Sequence, residues 1–434
     1  MNKLRLFFVC FFIGISFIAF TYKSSDALPA FARKHEVSCS LCHSTWPRLN
    51  DFGFKYLLNG YQMPDTEDGG EAGKIKVAED LPLDSPSSFP PFTLRLEGIA
   101  YLSRTNHTPS TSSGTGENGQ AGGLLSSGEM SGNIIGGGTL TKNTSYYLNI
   151  PQGSSPDKVT GRITESLFLG FHNIAGRGMV NIKFGSLLNP DLDAVHGTRR
   201  IFYGKSPVPL PMIWSAGNGT GRAGSYDLGI SLYGRPNFGP ITYDFIISQG
   251  NGAESDNDND DNLGYAGMVR GDFGPIAASA RYFVNSQGFG GTAGSRKYRN
   301  EVNEWTAGIR YSSHRFDIDF LYDTAAQSDV SSTGSGTRRE SSGFMLEGLL
   351  RISSSFEVGA VYETLAEKDG GADSNKDAGF SIEGAWYITQ NARFTFKTLW
   401  DMQDDKYKSK YTTSGGEQKG INGSKITIGF DVAL

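Results

Sequence analysis

The chain has 434 residues, 40 of them lysine or arginine and 45 aspartate or glutamate, for a net charge of −5. That balance gives no reason to expect nucleic acid as a partner. Beyond the first 27 residues no stretch approaches 18 unbroken apolar positions, which excludes further membrane-spanning helices. The 57 glycines and 12% aromatic content, with few helix-like patterns, point to an all-β protein.

Residues 1–27 read as a secretory signal. Lys3 and Arg5 form a charged start, Leu6 to Phe20 is an apolar run, and Ser25-Asp26-Ala27 offers small residues for cleavage. The run is about 15 residues, short of the ~20 that a spanning helix needs, so cleavage after Ala27 is expected. Of the three cysteines, Cys10 leaves with this segment, and Cys39 and Cys42 remain.

Residues 28–63 carry Cys39-Ser40-Leu41-Cys42-His43, the C-x-x-C-H pattern of a covalently attached c-type haem. Two thiols three positions apart can both bond to one macrocycle, and the adjacent imidazole then reaches the iron. A zinc site would need a second ligand pair, which the sequence lacks; a redox dithiol or disulfide is the other use for two such cysteines. Haem c is attached outside the cytoplasm, so signal and motif agree. After the motif a short helix is expected, with Thr45 as cap, Pro47 near the first turn, Leu49, Phe52 and Tyr56 on one face, and Gly60 at the end. Met63, in the turn beyond it, is the first choice for the sixth iron ligand, and His35 the alternative. A segment of about 35 residues is too small to be stable alone, so it is expected to dock on something larger.

Residues 64–90, with Pro64, Gly69, Gly70, Pro86 and Pro90, read as a linker. From residue 91 to 434 the pattern becomes runs of alternating apolar and polar residues, the mark of strands with one greasy face. Phe316, Ile318, Phe320 and Tyr322 alternate with Asp317, Asp319, Leu321 and Asp323; Ile426, Ile428, Phe430 and Val432 alternate with Thr427, Gly429, Asp431 and Ala433. Short turns near 141–144, 174–178, 235–239, 273–275, 312–315, 352–355 and 388–391 alternate with long polar loops, among them 105–129, 187–223, 366–377 and 403–420. This spacing predicts a 16-stranded antiparallel transmembrane β-barrel with both chain ends on the short-turn side. Tyr101, Tyr311, Tyr322, Tyr362, Trp386, Tyr387 and Trp400 suit interfacial girdles. Arg95, Glu97, Asp317, Asp319, Glu347, Glu357, Glu363, Arg393 and Lys397 fall on the inward parity, and the acidic ones among them are positioned to attract Fe(II).

The residues Ala27 to Arg33 (Ala-Leu-Pro-Ala-Phe-Ala-Arg), then Cys39-x-x-Cys42-His43, Pro47-x-Leu49, Phe52-Gly53 and Gly60-Tyr61, followed by such a barrel, resemble the fused outer-membrane monohaem cytochrome–porins of iron-oxidising bacteria. The resemblance covers the whole mature chain, although the specific motifs lie within residues 27–61. It implies a small α-helical cytochrome segment plugging or docking on the barrel. The implied activity is electron transfer from extracellular Fe(II), or another donor, to a periplasmic c-type cytochrome or other carrier, with outer-membrane lipid as the surroundings. Lys34-His35 departs from the polar pair usual in that family, and Phe54 stands where a basic residue is common; both bear on iron specificity rather than on the haem. Two other classes stay open: a diffusion porin whose haem segment is a plug or sensor, and a haem peroxidase, which needs an open sixth site and a distal acid–base residue.

Overall fold

The computed structural model describes residues 31–32, 37–45, 48–58, 75–78, 81–83, 92–104, 124–141, 143–153, 166–176, 178–188, 226–249, 263–289, 298–328, 338–389, 391–401, 412–413, 416–417 and 424–433. The signal region, His35, Gly60 and Met63 lie outside them.

Sixteen strands form one closed antiparallel barrel. In chain order they are β1 (Phe92–Arg104), β2 (Leu124–Thr141), β3 (Thr144–Gly153), β4 (Ser166–Phe171), β5 (Asn181–Leu188), β6 (Tyr226–Gly234), β7 (Ile241–Ser248) and β8 (Gly264–Phe273). The second half runs β9 (Ile276–Phe289), β10 (Tyr298–Ser312), β11 (Phe316–Ser328), β12 (Arg338–Ser353), β13 (Phe356–Asp369), β14 (Ala372–Thr389), β15 (Ala392–Asp401) and β16 (Ser424–Ala433). Each strand pairs with its sequence neighbours, and β16 closes on β1 through Ile426 opposite Leu102 and Asp431 opposite Glu97. Closure leaves no unpaired edge, which a lipid-embedded sheet cannot tolerate.

Side-chain parity decides what the two faces meet. On β11 burial alternates residue by residue: Phe316, Ile318, Phe320 and Tyr322 are exposed on the outside, while Asp317, Asp319, Leu321 and Asp323 are buried inside. The same outward apolar set recurs as Ile241, Phe245 and Ile247 on β7, Trp305 and Ile309 on β10, and Ile426 and Ile428 on β16. Greasy outside and charged inside is the inverse of a water-soluble protein and suits a wall immersed in hydrocarbon.

Two sequence expectations are corrected. The span 366–377 is not a loop: β13 and β14 run on to meet at Gly370-Gly371, whose φ values of 60° and 85° make the turn with positive φ at both central residues that suits a two-residue hairpin. Tyr387 is not a girdle residue; it is buried inside the barrel and its hydroxyl donates to Glu357 Oε2 at 3.1 Å. Trp386 beside it faces outward, and successive residues of a strand cannot share a face. Tyr311, Tyr322 and Trp400 are exposed as expected, whereas the Tyr101 side chain lies outside what is described. The turn expected at 174–178 is larger, with β4 ending at Phe171 and β5 starting at Asn181.

Ahead of the barrel lies a separate small unit. Cys39–Leu41 is one 3-10 turn, His43–Thr45 pairs with Arg48–Leu49, and α1 spans Asp51–Leu58. This helix starts later than the sequence suggested. Its cap is Asn50, whose Oδ1 accepts the Gly53 N–H at 2.8 Å, while Thr45 and Leu49 belong to the strand pair. Within the span read as a linker, Ile75–Ala78 pairs with Leu81–Leu83.

Candidate functional site

Cys39, Cys42 and His43 are brought together on one turn. Cys42 N–H donates to the Cys39 carbonyl at 3.2 Å, and His43 is held by pairing with Leu49. Cys39 is buried and Cys42 and His43 are half-buried; neither thiol is in a disulfide. Burial pushes both thiols above their ordinary range, Cys42 to about 11 with Cys39 adding to the rise, so both stay protonated at neutral pH. Two thiols outside any disulfide, with an imidazole next to them, are the groups that covalent haem attachment requires. A β-carbon at Gly53 would overlap the Cys42 carbonyl, so the helix backbone lies directly on the turn.

The segment is seated against the barrel wall. Phe31 meets Tyr56 of α1 edge-on, with ring centroids 6.1 Å apart. The Phe31 ring also lies at Gly137 of β2, where an added β-carbon would sit 3.0 Å from it. Gly137 shares its parity with Asn133 and Ser131, the register partners of the buried Arg95 and Glu97, so this position faces the interior. Tyr147, opposite Gly137 on β3, stacks on Phe168 of β4 at 5.5 Å. Phe168 in turn packs on an inward apolar cluster of Leu187, Ile246, Ala266, Phe283, Val302 and Ala325. Met268, Leu321, Met345 and Val361 form a second inward cluster.

The apolar part of this inner wall is buried: Met345 and Ala385 have no exposed surface, and Phe283, Val302 and Leu321 have 1% each.

Much of the charged wall is paired across and along the strands. All nine inward charges expected from sequence are buried. Arg95 makes a two-pronged bond to Asp431, 3.0 and 2.9 Å, and pairs with Glu97; Arg393 reaches the same Asp431 at 3.4 Å. Lys397 pairs with Glu383 at 2.5 Å, Arg351 with Asp317 and Glu357, and Arg310 with Asp319 at 3.6 Å. Arg281 joins Glu304 and Thr306, and Thr306 donates to Asp323 at 2.8 Å. Among the described residues no three His, Cys, Asp or Glu side chains converge to hold a bare metal ion.

Sequence reasoning missed His172, buried at the short-turn end after β4. Its ring bridges Ser145 Oγ at 2.5 Å and the Tyr233 hydroxyl at 2.8 Å. Burial, with the charge of Lys183 adding, lowers its pKa to about 4, so the ring is neutral at pH 7.

No protein-family model matches the sequence, and no curated protein matches it. The fold does have solved counterparts. An in-vitro folded outer-membrane protein OmpT of Vibrio cholerae superposes with a TM-score of 0.53 at 13% identity, covering 79% of this chain and 98% of that one. The anion-selective porin of Comamonas acidovorans gives 0.54 at 14%, covering 79% and 100%. Salmonella typhi OmpF, in complex with daunomycin, gives 0.51 at 10%, covering 79% and 97%. At this identity the likeness is one of fold: the chain is a 16-stranded β-barrel of the outer-membrane porin type.

Proposed function

We propose that this chain is an electron conduit of the bacterial outer membrane, a porin-type barrel carrying one haem c on Cys39 and Cys42. In this reading His43 is the proximal iron ligand and Met63 the distal one, with His35 as the alternative. Electrons pass from an extracellular donor, Fe(II) first among them, to a periplasmic cytochrome or similar carrier. When bound, the group supplies a reversible one-electron couple whose potential follows its axial ligands and surroundings. The protein's part is to hold the motif turn, seat it against an inner wall and exclude water.

The observation that carries the reading is the Phe31 ring on the inward face at Gly137, joined through Tyr56 to the helix that braces the motif. The apolar band of such a barrel is about 25 Å tall, so a redox group hanging outside could not approach donors and acceptors on both sides. A group against the inner wall shortens both paths. The inward apolar cluster that includes Phe283 and Val302, with Phe168 partly buried against it, gives the wall a greasy patch next to this contact.

The porin fold favours a second reading, a diffusion porin whose lumen holds the haem segment as plug or sensor. One experiment separates the two. Purified holoprotein is reconstituted into liposomes enclosing oxidised cytochrome c, Fe(II) is added outside, and planar-bilayer conductance is measured in parallel. The conduit reading expects reduction of the trapped cytochrome that depends on bound haem, with little ionic conductance. Steady solute conductance without reduction supports the porin reading. A low-spin, six-coordinate haem spectrum argues against the peroxidase class, which needs an open sixth position.

A further inference from the structure

Asn50 joins the motif turn to the helix through three hydrogen bonds. Its backbone N–H donates to the Cys42 carbonyl at 2.9 Å, and its side-chain Nδ2 donates to the Leu41 carbonyl, also at 2.9 Å. Its Oδ1 accepts the Gly53 N–H at 2.8 Å, which caps α1. Two successive carbonyls of Cys39-Ser40-Leu41-Cys42-His43 are thus tied to the start of one helix. On the other side of the tie, His43 is paired with Leu49, the residue before Asn50. Gly53 lets the helix come close enough for all of this, since any side chain there would strike the Cys42 carbonyl.

We infer that Asn50 is the positioning residue of the haem site, fixing the direction in which His43 leaves the turn relative to the two thiols. The inference rests on the haem reading above. An amide of this length is what the place demands. It donates with one end to the turn and accepts with the other from the helix. Aspartate keeps the acceptor and loses the donor, setting a carboxylate against the Leu41 carbonyl; serine and threonine hydroxyls are too short to span both. Groups that orient a metal ligand without touching the metal govern its electronics as well as its retention. The axial ligand's orientation is therefore expected to follow residue 50.

The test compares wild type, Asn50→Asp and Asn50→Ala as full-length, membrane-inserted proteins. Covalent haem is read by peroxidase staining of denatured protein, and the haem by its visible spectrum and midpoint potential. Asn50→Asp is expected to keep wild-type covalent haem but to shift the midpoint potential and raise the high-spin fraction. Asn50→Ala, which also loses the cap, is expected to lower haem per barrel severalfold. Wild-type spectra and potentials in both variants would overturn the assignment. If Asn50→Ala fails to assemble, the near-isosteric Asn50→Asp carries the test alone. A wild-type protein with no covalent haem removes the haem reading itself, whereas haem-bearing variants indistinguishable from wild type remove only the role of Asn50.

Discussion

The barrel and the segment ahead of it are held together by opposite means. The barrel is made of ladders that repeat the same bond many times, with inward charges paired across neighbouring strands, as in Arg95 with Asp431 and Lys397 with Glu383. The segment depends on single contacts: Asn50 on the Leu41 and Cys42 carbonyls, Gly53 under Cys42, and Phe31 on Gly137. The wall is held by many repeated contacts, while the described part of the segment is held by a few particular ones. On the proposed function the residues that carry chemistry lie in the second region and most of those that carry stability in the first, so substitutions are expected to separate the two properties.

The sharpest separation comes from Cys39→Ser combined with Cys42→Ser. Covalent haem is expected to vanish, while the barrel keeps its folded, heat-modifiable mobility on gels. A barrel that fails to assemble would mean that the wall depends on the segment. In the opposite sense, Asp431→Ala removes the carboxylate shared by Arg95 and Arg393 at the β1–β16 closure, while the pair of Arg95 with Glu97 stays. It is expected to lower barrel stability by about 3–5 kcal/mol in denaturant unfolding from lipid, with haem attachment unchanged in the molecules that fold.

His172 gives the wall a pH dependence of its own. Its folded pKa of about 4 lies below the ~6.5 of an unfolded histidine, so the unfolded state binds the proton first. The stability this neutral ring contributes is complete above about pH 6.5, falls as pH drops toward 4, and then levels off. The full amplitude is about 3 kcal/mol. His172→Gln should flatten that part of the stability–pH curve, and a curve identical to wild type would show that the ring is not sheltered. Smallest in stability is Gly137→Leu, expected to change barrel unfolding by about 1 kcal/mol at most while displacing Phe31. Its effect is expected in single-channel conductance, which rises as the segment is unseated; unchanged conductance would mean that the contact does not hold the segment.

The barrel was legible in the sequence because lipid outside and charge inside impose a strict two-residue period, plain in Phe316 to Asp323. Where that constraint lapses, the reading lapsed too. Beyond the membrane band β13 and β14 need no greasy face, so Lys368, Asp369, Asp373 and Lys376 resembled a loop until the Gly370-Gly371 turn was seen to pair them. Leu321 falls on the inward parity by period alone, but that Met345 and Val361 join it in one inward apolar cluster depends on pairing across strands distant in sequence. In the segment, Cys39, Cys42 and His43 announced themselves by spacing. Asn50 did not, because its role depends on where the chain brings the Leu41 and Cys42 carbonyls, and a local pattern made Thr45 an equally good cap. The contact between Phe31 and Gly137 joins residues more than a hundred positions apart and has no local signature.

The most direct test is the position of the iron in crystals of the holoprotein, found by anomalous scattering at the iron edge. One peak inside the ring of strands, on the side of Gly137 and Tyr147 and next to the Cys39–His43 turn, is the expected result. A peak outside the cylinder of strands, or no iron at all in protein that has passed through its normal export and assembly, would contradict a haem seated within the barrel.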